Sequence, residues 1–82
     1  MITHVAIIFN KKIYSLPKPN RHHDVIALIY RETGQHVEGT QGFLDDKGWF
    51  LNRRLALYNA VTSGQKFRHI PIHNELYSED LW

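Results

Sequence analysis

The sequence predicts an α+β fold in which two β-hairpins alternate with two helices, in the order ββαββα. Three observations carry this prediction. Strand-like runs come in pairs separated by polar turns, an asparagine suited to a helix N-cap follows each pair, and each helix-like segment ends at a glycine. We expect four antiparallel strands with both helices on one face of the sheet, because this arrangement buries the apolar side chains between two layers.

Composition limits the classes of protein to which this chain can belong. The 82 residues, 43% hydrophobic and 22% charged, indicate one folded domain over residues 1–82. A domain this small often completes its core by association, so we expect a homo-oligomer. The formal net charge of +2 does not favour sequence-specific nucleic-acid binding, and the longest apolar run, residues 5–9, is too short to span a membrane.

The first hairpin and first helix occupy residues 2–34. Residues 2–9 and 13–16 are rich in β-branched and aromatic side chains, with a polar turn between them. Pro17 and Pro19 end the second strand, because proline cannot donate to a strand ladder. Asn20 then suits the N-cap of a helix over residues 21–33, and Gly34 suits its C-cap. The apolar stripe of this helix is predicted to contain Val25, Leu28 and Ile29.

The second half of the chain repeats this order after a loop predicted over residues 35–41. Residues 42–44 and 49–51 form the strands of a hairpin with Gly48 in its turn, and Asn52 caps a helix that ends at Gly64. We expect the core face of this helix to consist of Leu57, Tyr58 and Val61.

The two halves also share a short motif at the end of each helix. Thr33-Gly34-Gln35 in one half corresponds to Ser63-Gly64-Gln65 in the other. This indicates either a duplicated ββα unit or the same local physics used twice.

Residues 66–82 form a tail outside the ββαββα core of residues 1–65. Leu76, Tyr77, Leu81 and Trp82 lie there among acidic residues, and such large apolar side chains favour burial. We therefore expect the tail to be ordered and docked, either on its own domain or on a neighbouring subunit.

The starts of the two helices form the candidate ligand site. Cationic side chains occupy first turns in which the backbone N–H groups and the helix dipole already favour an anion. If the helices run the same way, these residues gather at one end of the domain and can hold a phosphate. The predicted ligand-binding residues are Arg21, His22, His23, Arg53 and Arg54.

Structural alternatives compete with this site. One alternative is that the arginines are solvated and that His22 and His23 are one residue at the edge of the core and one residue facing water. The tail is the strongest rival, because Glu79, Asp80 and the terminal carboxylate carry the charge that would pair with the arginines.

No metal or cofactor site is predicted. His22 and His23 point about 100° apart on a helix, and only His22 shares the face of Val25. His69 and His73 flank Pro71, so this segment is extended and separates the two rings by roughly 13 Å. The sequence has no cysteine and lacks the HExxH, P-loop and GxSxG motifs. The sequence does not decide whether the protein is an enzyme, and the missing motifs favour a protein that is not one.

Several ordered motifs resemble a group of small tailed-bacteriophage proteins. The resemblance covers most of the chain and implies a non-virion protein that acts in the host cytoplasm, against a host defence or on host metabolism. It implies no particular reaction. The motifs are Arg21-His22-His23-Asp24-Val25-Ile26, Gly42-Phe43, Arg53 with Ala56 and Ala60, Gly64-Gln65, and Ser78-Glu79-Asp80-Leu81-Trp82.

Three functions follow as hypotheses. The first is binding of a phosphate-bearing small molecule, such as a nucleotide signal, at the basic helix starts. The second is a protein that inhibits a host factor through its tail and exposed aromatic side chains. The third is a phosphodiesterase in which His22 or His23 acts as general base and Arg53 or Arg54 stabilises developing charge.

Overall fold

A computed structural model describes residues 1–37 and 39–82, and it contains a four-stranded antiparallel sheet with helices. The order ββαββα, followed by a short C-terminal helix, confirms the predicted fold class. The elements are β1 (Ile2–Phe9), β2 (Lys12–Pro17), α1 (His22–Thr33), β3 (Thr40–Asp45), β4 (Phe50–Asn52), α2 (Arg53–Thr62) and α3 (Ser78–Leu81).

The sheet has the strand order β2-β1-β3-β4, so β1 and β3 lie at its centre. Val5 pairs with Leu16 on one side and with Phe43 on the other; Val5 and Phe43 belong to the buried core, and Leu16 packs against it. The β1–β3 register shifts between Ile2 and His4. This irregularity lets Ile2 face the same layer as Val5, three residues later.

Both helices pack on one face of the sheet, as predicted. α1 lies over β1 and β2, while α2 lies over β3 and β4. The side chains at the centre of the core, between the sheet and the helices, are fully buried. Its fully buried members include Val5, Ile7, Val25, Ile29, Phe43, Ala56, Ala60 and Leu76.

The predicted N-cap of α1 is wrong by one residue. The cap is Arg21, whose backbone N–H donates to Asp24 Oδ2 at 2.8 Å. Asn20 instead donates from Nδ2 to the Pro17 carbonyl at 2.9 Å and so closes the preceding turn. A carboxylate three residues into the helix therefore fixed its start. The predicted C-cap is confirmed, because Gly34 adopts φ 72°.

The predicted core face of α2 is also wrong. Ala56 and Ala60 are buried, whereas Tyr58 and Val61 are 71% and 59% exposed and Leu57 lies at the margin of the core. Phe43 from the sheet and Leu76 from the tail fill the same core layer, so α2 approaches it through small side chains.

Both hairpin turns lie where the sequence predicts them, and Gly48 in the second turn adopts the predicted positive φ, at 84°. Asn10 and Lys11 have positive φ angles of 53° and 62°, which gives a two-residue turn. In the second turn Asp45 Oδ1 accepts from the N–H groups of Lys47 and Trp49, each at 2.9 Å. The loop predicted over residues 35–41 is shorter, because β3 already begins at Thr40, and residue 38 of that loop lies outside the described residues.

The tail is ordered and docked on its own chain. Leu76 and Ser78 are buried, and Leu81 and Trp82 pack against the core. The N–H of Arg68 donates to the Asp80 carbonyl at 2.7 Å, so the tail folds back on itself. Within the described residues no helix is long and apolar enough to cross a membrane.

Candidate functional site

The two helices run in opposite directions. The N–H of Lys18 donates to the Thr3 carbonyl at 3.0 Å, so α1 starts near the beginning of β1. The side chain of Gln65 bonds to both backbone groups of Ile2 at 2.7 and 2.9 Å, so α2 ends near the same place. Because the helices do not run the same way, their starts do not bring the five predicted ligand-binding residues together at one end of the domain. The tail bonds to residues at both helix starts.

Arg21 is engaged by the end of the tail. Its Nη1 lies 3.6 Å from Glu79 Oε1, and its Nη2 donates to the backbone oxygen of Trp82 at 2.5 Å. The Trp82 indole in turn donates to the Asn20 carbonyl at 2.7 Å. At the start of α1, the Glu79 carboxylate therefore supplies the negative charge beside Arg21 that a bound anion would supply.

Arg53 is engaged by the other end of the same segment. Its Nη1 donates to the Leu76 carbonyl at 2.8 Å, its Nη2 donates to Gln41 Oε1, and its guanidinium lies 4.3 Å from the centre of the Tyr77 ring. A guanidinium has five N–H donors, so Arg53 retains donors beyond these two bonds. Asp80 does not pair with either arginine; it accepts from the Tyr77 N–H at 2.9 Å and caps α3.

His22 is a core histidine. It is 8% exposed, its Nε2 donates to the Gly42 carbonyl at 2.7 Å, and its ring meets the edge of Phe43 at 5.0 Å. Burial lowers the pKa of His22 and the nearby Arg53 charge lowers it further, against the opposing effects of the Gly42 bond and Glu79. His22 is therefore neutral at pH 7, and its Nε2 is not free to act as a base.

His23 lies on the outer side of α1. Its side chain is 77% exposed, and Nε2 is 3.4 Å from Asp24 Oδ1. It borders an apolar groove formed with Ile26, Ala27 and Tyr30. The two histidines point apart, as predicted. In the part of the chain that the structure describes, no group of three or more metal-binding side chains comes together.

Arg54 and Arg53 line an open polar cleft of about 430 Å³ at the start of α2. Arg54 is exposed and has no ion-pair partner among the described residues. The first turn of α2 contains no acidic residue. The remaining lining residues are Gly39, Gln41, Asn52 and Glu75.

Sequence reasoning missed Gln41 and Glu75 as members of this cleft. Gln41 was expected in a loop, but it pairs with Ile7 in the sheet and so projects toward α2. Glu75 precedes Leu76, whose N–H donates to the Arg53 carbonyl at 3.0 Å. Both positions depend on long-range pairing, for which the local sequence gives no signal.

The cleft therefore combines two guanidinium groups, two side-chain amides and one carboxylate. Asn52 Oδ1 accepts from the Leu55 N–H at 2.8 Å, which leaves the Asn52 amide N–H groups available. Such a set can bind an anion through the arginines and hydrogen-bond donors through Glu75.

Comparison with known proteins gives a family. No curated protein and no solved structure matches this chain. The family model described as phage T4 y16D protein matches residues 1–82, which is the whole sequence. The chain therefore belongs to the phage T4 y16D protein family.

Proposed function

We propose that this phage protein is an accessory protein that binds a phosphate-bearing small molecule, of the nucleotide class, in the cleft at the start of α2. It acts in the cytoplasm of the infected cell, where such a ligand serves host defence or host metabolism. The observation that carries the proposal is the placement of Arg53 and Arg54 together in one open cleft beside a helix N-terminus.

Each side chain has a distinct part in this binding. Arg54 is exposed and supplies a guanidinium that can form two parallel hydrogen bonds to phosphate. Arg53 is held by Leu76, Gln41 and Tyr77, so its remaining donors are oriented before the ligand arrives. Glu75 and the amides of Gln41 and Asn52 contact the polar edges of a base or sugar.

Residues at the start of α1 support the proposed site without lining it. Arg21 already has Glu79 beside it, and His22 is buried in the core. His23 is exposed on α1 and borders a different groove. The proposed site is therefore centred on Arg53 and Arg54, and Arg21 supports it by holding the tail that orients Arg53.

Binding is tested by calorimetric titration with inorganic pyrophosphate, adenosine triphosphate, guanosine triphosphate and a cyclic dinucleotide. Arg54→Ala should weaken the dissociation constant of the bound compound by roughly tenfold to a hundredfold, because a charged hydrogen bond contributes about 1.5–3 kcal/mol. Arg31→Ala is the matched control, because Arg31 is an exposed arginine in the last turn of α1. Equal affinities for the two variants, or no binding of any compound to the unmodified protein, would contradict the proposal.

A second function is favoured by one separate observation. Ile70 and Ile72 in the tail are 86% and 91% exposed, which is unusual for two neighbouring aliphatic side chains. They suit insertion into an apolar groove of a host protein that the phage protein inhibits. A photo-reactive amino acid at position 72 should give one defined cross-linked product in infected cells, whereas the same group at the exposed position 32 should give none. Identical products at both positions would exclude this function.

A further inference from the structure

In the part of the chain that the structure describes, α1 and α2 pack on one face of the sheet and leave the opposite face open. By the strand register, Ile8 and Ile13 lie opposite each other on this face, as do Leu44 and Phe50. Their side chains alternate with the core residues, and none of the four belongs to the core that packs against the helices. In the described residues, both helices and the apolar anchors of the tail lie on the other side.

The open face carries no charged side chain of the Lys, Arg, Asp or Glu type at the positions that the strand register places there. A sheet with one solvated face normally carries polar side chains there. The residues of the open face are His4, Ala6, Ile8, Ile13, Ser15, Pro17, Thr40, Gly42, Leu44 and Phe50.

Two small residues form the centre of the open face. Ala6 pairs with Gly42, and Ala6 is fully buried although it points away from the helices. A Cβ atom on Gly42 would lie 2.5 and 2.9 Å from ring atoms of Phe50, so the ring lies directly across the glycine. Only glycine permits this position of the aromatic ring.

We propose that a second copy of this chain covers the open face by packing sheet against sheet across a two-fold axis. The face is neutral, so two like faces stack without burying like charges. Four strands about 4.8 Å apart and on average roughly 18 Å long give a projected area of roughly 350 Å² per copy, or about 700 Å² for the pair before side-chain relief. This area is smaller than that of stable specific interfaces, so the proposed dimer is weak and forms only at high protein concentration. The partner is not the tail of a neighbour, because each tail docks on its own chain.

Sedimentation velocity over about 5–500 μM tests the dimer. Thr40→Arg places a charge at an exposed position of the open face without removing a buried group, so the variant keeps its fold. Ile13→Glu removes apolar area from the same face. Tyr58→Glu is the matched control, because Tyr58 is exposed on α2 at the opposite side of the domain.

The unmodified protein and Tyr58→Glu should dimerise with the same dissociation constant, while Thr40→Arg and Ile13→Glu should weaken it at least tenfold. A protein that stays monomeric at the highest concentration would overturn the proposal. A dimer that survives both open-face substitutions, or that Tyr58→Glu alone disrupts, would overturn it as well.

Discussion

Arg53 and Leu76 are joined by two reciprocal hydrogen bonds. The N–H of Leu76 donates to the Arg53 carbonyl at 3.0 Å, and Arg53 Nη1 donates to the Leu76 carbonyl at 2.8 Å. Leu76 is fully buried, so this pair fixes a core side chain as well as the orientation of the guanidinium. The same contact therefore links the stability of the tail to the geometry of the candidate site.

Arg53→Ala should lower the free energy of unfolding by about 1.5–3 kcal/mol, because the Leu76 carbonyl loses a charged hydrogen-bond donor next to the core. Chemical denaturation measures this change. Arg54→Ala removes an exposed guanidinium from the next position and should change the same quantity by less than about 0.5 kcal/mol. Equal losses for the two variants would show that Arg53 does not hold the tail.

Gln65→Ala should destabilise the protein by roughly 1–3 kcal/mol, because the Gln65 amide bonds to both the N–H and the carbonyl of the buried Ile2. Gln35 follows the matching Thr-Gly motif in the first half, and it is exposed. Gln35→Ala should therefore leave the melting temperature nearly unchanged. If the two substitutions have the same effect, the side-chain bonds of Gln65 are not a structural anchor.

Acidification should destabilise the protein through His22. Its pKa is lowered in the folded state from an ordinary value near 6.5, chiefly by burial, so the unfolded chain takes up the proton first as the pH falls. The stability that the neutral ring contributes is complete above pH 6.5 and is lost as the pH falls through that value toward the folded pKa.

Melting temperatures at pH 7.5 and 5.0 test this linkage. The decrease on acidification should be smaller in His22→Gln than in the unmodified protein, because glutamine keeps an amide donor and does not titrate. His23→Gln alters an exposed histidine and should retain the full decrease. A His22→Gln profile parallel to that of the unmodified protein would contradict the assignment.

Local sequence was sufficient for much of the fold. The limits of β1 and the side-chain cap by Asn52 agree with the structure, because β-branched runs and capping side chains act within a few residues. The start of α1 was shifted because Asp24 selected Arg21 as its cap. The hydrogen bond between the Arg21 N–H and the Asp24 carboxylate outweighs the intrinsic preference for asparagine at the N-cap, which favoured Asn20.

The core face of α2 and the partners of the arginines depend on residues distant in sequence. Helix α2 could face the core with its large apolar side chains or with Ala56 and Ala60. The alanines face the core because Phe43 and Leu76 already fill most of the space there. Arg21 and Arg53 were correctly placed at or beside helix starts, but only the folded tail brings Glu79 and Leu76 to them. The structure therefore agrees with the tail alternative at Arg21, which pairs with Glu79 of the tail. Arg54 instead lines an open cleft.

The most direct test of the proposed site is a ¹⁵N NMR titration of the full chain with inorganic pyrophosphate. Binding in the α2 cleft predicts saturable shifts of the Asn52, Arg53 and Arg54 backbone amides and of the Gln41 side-chain amide, all of which should disappear in Arg54→Ala. The Lys18 and Lys66 amides, which border a different cleft, should remain unchanged. Saturable shifts centred on those two lysines, or only weak and non-saturable shifts across the surface, would contradict a phosphate site at the start of α2.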